Sequence, residues 1–185
     1  MKDKGFDFTE HTVASRTVYH GRLLQVLEDE VRMPDGKTGR REYVRHPGAV
    51  AMIPMLDSET VVLVRQFRYA TGRHFYEIPA GKIDAGEGLL ETGKRELREE
   101  CGYEAARWQR LTTLDPCIGY SDERIELYLA LDLNRIAAAP EDGEFIEVIT
   151  LTLSDSMRWV QTGRITDVKT IVGLMWAERL ASGLW

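Results

Sequence analysis

Within residues 17–45, Leu27, Val31 and Met33 stand at odd positions with charged residues between them. That two-residue period predicts a half-buried strand. Pro34-Asp35-Gly36 is a turn signal, and residues 40–45 read as the returning strand. After His46-Pro47-Gly48 the pattern changes to two apolar runs, AVAMIPML (49–56) and TVVLVRQF (60–67), split by Asp57-Ser58-Glu59. These predict central strands joined by a tight turn. HFYEIPAG (74–81) predicts a further short strand ending in Pro and Gly, and residues 87–101 predict a helix. WQRLTTL (108–114), RIELYLAL (124–131) and FIEVITLTL (145–153) read as strands, with loops over 115–123 and 135–144. Ser154 is the expected cap of a helix running to Gly163. Thr166 is the expected cap of a second, with Val168, Ile171, Val172 and Met175 on its apolar face. Residues 1–15 are polar and expected to be loose. The sum is an α/β fold with a mixed sheet, a central helix and C-terminal helices, in a main domain over 46–185. Residues 1–45 form a β extension with too few apolar side chains for a core of its own, so it needs the domain or a partner subunit to cover it.

Composition removes several function classes. The 185 residues include 24 Lys+Arg and 30 Asp+Glu, a formal net charge of −6 at pH 7. With 43% hydrophobic and 29% charged residues, wholesale disorder is excluded. Cys101 and Cys117 have no CxxC spacing and cannot build a disulfide scaffold; reduced, partly buried thiols and a cytoplasmic location are expected. No apolar run approaches the roughly 20 residues that span a bilayer. The opening MKDKGFDFTEH mixes both signs of charge without an apolar stretch, so neither a membrane span nor a signal peptide is expected. Arginine is not gathered into one block, which argues against a nucleic-acid surface. The histidines, His11, His20, His46 and His74, lack metal-ligand spacing, so zinc is not indicated. What remains is the acidic excess, which is either spread for solubility or gathered to hold a cation.

The helix over 87–101 bears on that choice. With Leu89 at 0° and about 100° per residue, Leu97, Leu90 and Gly93 fall between 0° and roughly 100°. Glu96 falls near ~340°, Glu99 near ~280° and Glu100 near ~20°, at the edge of the buried stripe and not on the far, solvated face. Like charges at i,i+4, such as Glu96 and Glu100, cost a helix roughly 0.2–0.5 kcal/mol, and partial burial raises the cost. A hard divalent cation removes that repulsion, and carboxylate oxygens suit Mg²⁺ or Mn²⁺. A solvated face stitched by Arg–Glu neighbours is the plainer alternative.

The flanking residues decide between them. Gly81, five residues, Glu87, seven residues, then Arg95-Glu96-Leu97-Arg98-Glu99-Glu100-Cys101-Gly102-Tyr103 resembles the Nudix box, GX5EX7REUXEEXGU with U aliphatic. Only the last position departs, where Tyr103 replaces an aliphatic residue. In physical terms Gly81 is expected to let the backbone turn tightly, Glu87 to sit at the positive end of the helix and Arg95 to hold Glu99 at i,i+4. The resemblance implies a Nudix α/β/α sandwich and metal-dependent hydrolysis of nucleoside diphosphates linked to another group. It assigns Glu96 and Glu100 as core metal ligands, Glu99 as an assisting and catalytic residue, and the Ala80 carbonyl a place beside two or more Mg²⁺ (or Mn²⁺) ions.

Beyond the box, REYVRHPGAVAMIP (41–54), VLVRQFRYATGRHFYEIPAGK (62–82), PCIGYSDERIELYLA (116–130), DGEFIEV (142–148) and GRITDVKTIVGLMWAERL (163–180) resemble bacterial ADP-ribose pyrophosphatases. By that resemblance Arg68 reaches the substrate's phosphate or ribose region. Arg41 and Glu42 help hold the adenine side, Arg22 aligns with a stacking position, and Glu123 is a ribose contact or supports one. Asp142 takes the general-base position and Glu144 a further metal contact; because Asp is one methylene short of the usual Glu, Glu144 and Glu141 stay open as the base. The implied reaction is hydrolysis of ADP-ribose to AMP and ribose 5-phosphate, in a homodimer built through the N-terminal antiparallel sheet. The alternatives are another nucleoside diphosphate sugar such as GDP-mannose, a dinucleotide, or a regulator that binds ADP-ribose without cleaving it. The intact box glutamates and the lack of a basic helix-turn-helix segment count against the last.

Overall fold

In the computed structural model, which describes residues 5–137, 143 and 145–185, the chain forms two units. One comprises residues 1–46 with 117–123, the other 47–116 with 124–185. The loop residues Glu141, Asp142 and Glu144 lie outside the described residues.

The first unit is a three-stranded antiparallel sheet, in the order β1 (His11–His20), β2 (Gln25–Arg32), β3 (Thr38–Arg45). The alternation read in β2 is real: Leu27, Asp29 and Val31 are buried, while Glu30 and Arg32 are exposed. The turn at Gly36 closes with its N–H on the Met33 carbonyl, at a positive φ of 83° that glycine adopts without strain. Residues 11–15, expected to be loose, are instead strand, because Thr12 and Ser15 pair with Val31 and Asp29. Every residue of β1 is exposed, so its burial pattern carries no period. Residues 117–123 lie alongside β3: the Val44 N–H donates to the Tyr120 carbonyl at 2.8 Å, and the His46 N–H to Asp122 Oδ1 at 2.7 Å.

The second unit holds two sheets. One is mixed, in the order β7 (Ala80–Lys82), β4 (Ala49–Pro54), β9 (Ile125–Arg135), β8 (Tyr103–Leu114), with β4 and β9 parallel. The other, in the order β10 (Ile146–Thr152), β5 (Thr60–Arg68), β6 (Arg73–Glu77), is antiparallel. All six residues of β4 are buried. Its even side chains, Val50 and Met52, pack with Val62, Val64 and Tyr128 against Leu97 and Cys101 of α1 (Leu89–Cys101). Its odd side chains, Ala51 and Ile53, pack with Val61, Leu63, Ile78 and Leu127 against Leu153 of α2 (Leu153–Gln161) and Leu174 of α3 (Val168–Ala181). Helices thus cover both faces, which is the α/β/α sandwich, and each fully buried Leu or Val contributes about 1.5–3 kcal/mol.

Three local expectations shift. HFYEIPAG is not one strand but two in different sheets, β6 beside β5 and β7 beside β4. Pro79 lies between them with no N–H to give a ladder, and its carbonyl accepts from Met52 N–H. The cap of α2 is Thr152, whose Oγ1 accepts from Asp155 N–H at 3.0 Å, not Ser154. The cap of α3 is Asp167, not Thr166, and the expected face is met in part: Ile171 and Val172 pack at the edge of the core, Val168 and Met175 are exposed, and Thr170, Gly173, Leu174 and Ala177 are buried, so the helix is rotated from the expected face. Gly173 explains the rotation, since a Cβ there would stand 3.0 Å from Ile78 Cδ1 and 3.3 Å from Ile53 Cγ1. The close approach of the small face outweighs the larger apolar residues beside it.

Candidate active site

The acidic helix begins at Leu89, two residues later than its pattern suggested, because Glu87 folds back over the first turn. Glu87 Oε2 accepts from Thr92 Oγ1 at 2.7 Å and from the Asp84 N–H at 3.4 Å. Gly102 ends the helix in the left-handed conformation, φ 69°, with its N–H on the Arg98 carbonyl. Between these ends Arg95 is the hub. Its Nε and Nη2 each donate to Glu87 at 3.0 Å, and its Nη1 donates to Glu96 Oε1 at 2.8 Å and Glu99 Oε2 at 3.0 Å. Nη2 also reaches the Lys82 carbonyl at 3.2 Å, tying helix to β7. One guanidinium therefore gathers three box carboxylates. Hydrogen bonding to Arg95, and then to Thr92, lowers the Glu87 carboxyl to a pKa of about 2. The Arg95 cation is stabilised in turn, chiefly by Glu87.

Gly81 has a different task from the tight turn expected of it. It lies in β7, paired with Val50, and its φ is not positive. A Cβ on Gly81 would stand 1.7 Å from Glu96 Oε1 and 1.8 Å from its carboxyl carbon. The glycine is there because the Glu96 carboxylate lies on that backbone. Glu100 is buried, and its Oε2 accepts from the Ala80 N–H at 3.1 Å. The stretch 80–81 of β7 thus meets the carboxylates of both Glu96 and Glu100, and Glu99 joins them through Arg95. Among the described residues no three His, Cys, Asp or Glu side chains form a ready-made metal cluster; Arg95 holds Glu96 and Glu99, and the Ala80 amide donates to Glu100. The donor set is nonetheless all hard oxygen at a backbone cradle that a single methyl would fill, which fits a Mg²⁺-type cation and not a thiophilic one. Cys101, next along the helix, is a packing residue: burial, and then the Glu100 charge, push its thiol well above the ordinary range.

Arg68, at the end of β5, belongs to the same unit. Its Nε and Nη2 both donate to Glu77 at 2.7 Å, a bidentate pair, and the Glu100 charge is among those that stabilise the Arg68 cation. Burial alone would push the Glu77 carboxyl up, but the Arg68 hydrogen bonds and the Lys169 charge overcome it and hold Glu77 below the usual carboxylate range. Sequence reasoning missed Glu77 and Lys169. The signal was present as a carboxylate inside the apolar run FYEIP and a lysine in the first turn of an apolar helix.

The other expected substrate residues lie in the first unit. Arg22 is an exposed residue in the bend between β1 and β2. Arg41 and Glu42 are adjacent on β3, so their side chains leave opposite faces of the sheet. Arg41 is paired with Glu10 through Nε at 2.8 Å and through Nη2. Glu123 sits 3.8 Å from His46 Nδ1. Asp142 and Glu144 fall outside the described residues. No described helix is long and apolar enough to cross a membrane.

Fold and site together define a hydrolase of diphosphate linkages that works with a divalent cation. The chain belongs to the Nudix family: residues 45–168 match the NUDIX domain, and residues 10–44 match the nucleoside diphosphate sugar hydrolase N-terminal domain. It is 37% identical over 173 residues to the methanol dehydrogenase activator of Bacillus methanolicus, covering 92% of this chain and 94% of that one. It is 34% identical over 171 residues to the ADP-ribose pyrophosphatase of Bacillus subtilis, covering 91% and 92%. A solved structure of an ADP compounds hydrolase superposes with a TM-score of 0.86 at 22% identity, covering 98% of each chain, which supports the fold.

Proposed function

We propose that the protein is an ADP-ribose pyrophosphatase, hydrolysing ADP-ribose to AMP and ribose 5-phosphate with two or more Mg²⁺ ions. The observation that carries this reading is the Arg95 clamp on Glu87, Glu96 and Glu99, set over a glycine that leaves room for the Glu96 carboxylate. Glu96 and Glu100 would hold the cations, with Glu99, Glu144 and the Ala80 carbonyl beside them. A bound divalent cation supplies neutralisation of the diphosphate oxygens and Lewis acidity toward an attacking water. The chain's own work is positioning and proton transfer. Arg68 directs a guanidinium at the diphosphate. A carboxylate oxygen of Asp142, Glu144 or Glu141 accepts the proton of the attacking water, and Arg95 keeps Glu99 oriented.

Arg22, Arg41, Glu42 and Glu123 are assigned to the nucleoside and ribose portion by their match to the family pattern. The division of labour follows: residues 1–45 dimerise and 46–185 hydrolyse, in a cytoplasmic homodimer. A second reading is favoured by the breadth of the N-terminal match, which is to nucleoside diphosphate sugar hydrolases at large. In that reading another nucleoside diphosphate sugar is the preferred substrate.

A substrate panel at fixed Mg²⁺, compared by kcat/KM with product analysis, tests both. AMP and ribose 5-phosphate from ADP-ribose at the highest efficiency supports the first reading, and a clear preference for a guanine nucleotide sinks it. Glu100→Gln is expected to lower kcat by more than about 10³-fold with an unchanged far-UV circular dichroism spectrum. Near-normal turnover by that variant removes Glu100 from the metal site.

A further inference from the structure

A chain of alternating charges runs away from the box into the core. Arg68 forks onto Glu77, with Nε to Oε1 and Nη2 to Oε2. Lys169 Nζ donates to the same Glu77 Oε2, and to Asp167 Oδ2 at 3.0 Å. Asp167 Oδ2 accepts from Thr170 N–H at 3.0 Å and Thr170 Oγ1 at 2.6 Å, and Thr170 Oγ1 accepts the Ile78 N–H at 2.9 Å. The side chains of Glu77 and Lys169 are 3% and 10% exposed, whereas Arg68 is 44% exposed and within electrostatic range of Glu100. The network has a dry end at α3 and a wet end at the candidate active site.

Stability is a poor reason for it. A buried ion network is often matched or bettered by apolar residues of the same volume, because the charges must be taken out of water. Two features look instead toward a ligand. Arg68 spends Nε and one Nη on Glu77, while Nη1 makes no hydrogen bond among the described residues, so the fork is fixed at one edge and available at the other. Moreover, a carboxylate that served Arg68 alone would neutralise it. Glu77 is shared between Arg68 and Lys169, and Lys169 in turn between Glu77 and Asp167, so no carboxylate of the network is given over to Arg68 alone.

We infer that Lys169 is a positioning residue for substrate binding: through Glu77 it fixes the Arg68 guanidinium in one geometry and leaves that guanidinium's outer edge positive toward the substrate's diphosphate. This rests on the assignment of Arg68 to the diphosphate. Lys169 itself touches no substrate, and its effect passes entirely through Arg68.

A double-mutant cycle tests it, using Lys169→Met, Arg68→Gln and the double variant. The substrate is ADP-ribose, or whichever nucleoside diphosphate sugar of the panel the wild type cleaves best. Lys169→Met is expected to raise KM about tenfold while kcat changes by less than about threefold, and in the Arg68→Gln background to change KM by less than about twofold. A residue that only supports the fold gives the opposite: a lower melting temperature, kcat scaled by the folded fraction, and the same factor in both backgrounds. Should Lys169→Met fail to fold, Lys169→Gln keeps an uncharged amide NH2 donor at that position, and the cycle is run with it on the same criteria. If Arg68→Gln raises KM but the two effects multiply, the inference is overturned and the Arg68 assignment stands. If Arg68→Gln leaves KM unchanged, both fall. A wild type that cleaves no member of the panel removes the proposed function and this inference together.

Discussion

At the scale of single residues, the site is governed by one absent methyl. Gly81 is required not for its own dihedral angles but for what lies on it: the Glu96 carboxylate occupies the volume a Cβ would take. Glu96 is simultaneously held by Arg95 Nη1 at 2.8 Å, so it cannot step aside without loosening the clamp that also orients Glu99. Gly81→Ala therefore forces a shift of about an ångström or more at a proposed metal ligand, and misplacement of that size costs on the order of 10²-fold in rate. The expected outcome is a kcat lowered by about 100-fold or more at saturating Mg²⁺, with the protein still folded by circular dichroism. A Gly81→Ala enzyme with near-normal kcat would show that the Glu96 carboxylate is free to relocate. Arg95 adds a related lesson, since its fork reaches three carboxylates and a carbonyl at once, which the single ammonium of a lysine cannot do.

At the scale of elements, what was legible in the sequence depended on whether the cause was local. The box was readable because its carboxylates, arginine and glycines are fixed within 23 residues, and the wheel of α1 placed Glu100 at the buried edge, where it lies. The helix ends were less readable. Ser154 and Thr152 are both acceptable caps in isolation; Thr152 takes the role because β10 runs through it to pair with Thr60, so the helix starts two residues earlier. The face of α3 is legible only in Ile171 and Val172, for a reason further off: Gly173 meets Ile53 and Ile78, about a hundred residues away, and no periodicity in the helix reports that. The Arg68–Glu77–Lys169 network was invisible for the same reason, as Glu77 and Lys169 are 92 positions apart. The cap makes a clean comparison. Thr152→Ala removes the acceptor for Asp155 N–H and should cost about 1 kcal/mol in urea unfolding, while Ser154→Ala should stay within about 0.5 kcal/mol. A larger loss for Ser154→Ala than for Thr152→Ala would mean that Ser154 is the α2 cap.

At the scale of the whole molecule, the N-terminal unit shows a sheet edge of the kind soluble proteins protect. All ten residues of β1 are exposed, among them Val13, Val18 and Tyr19, and the preceding segment exposes Phe6 and Phe8. A strand in that position presents a row of backbone donors and acceptors on its free side, since β2 satisfies only one edge. Natural edges are blunted by brevity, charge, proline or bulges; β1 is ten residues long with no proline and a single arginine, Arg16, and its protection is confined to irregularities at Thr12/Ala14 and Thr17/Tyr19. A lightly protected edge of that length is accounted for if a second copy covers it, which agrees with the proposed homodimer. Charges on that strand should then separate the subunits. The double substitution Val18→Asp, Tyr19→Asp places two carboxylates at the irregularity of β1 between Thr17 and Tyr19, where both side chains are exposed. In sedimentation the wild type is expected at twice the 21.1 kDa chain mass and the variant at the chain mass, with the core of the second unit intact by near-UV circular dichroism. A variant that stays dimeric would move the interface away from β1. A wild type that sediments as a monomer would leave the exposed strand in need of another cover, and would remove dimerisation from the proposed role of residues 1–45.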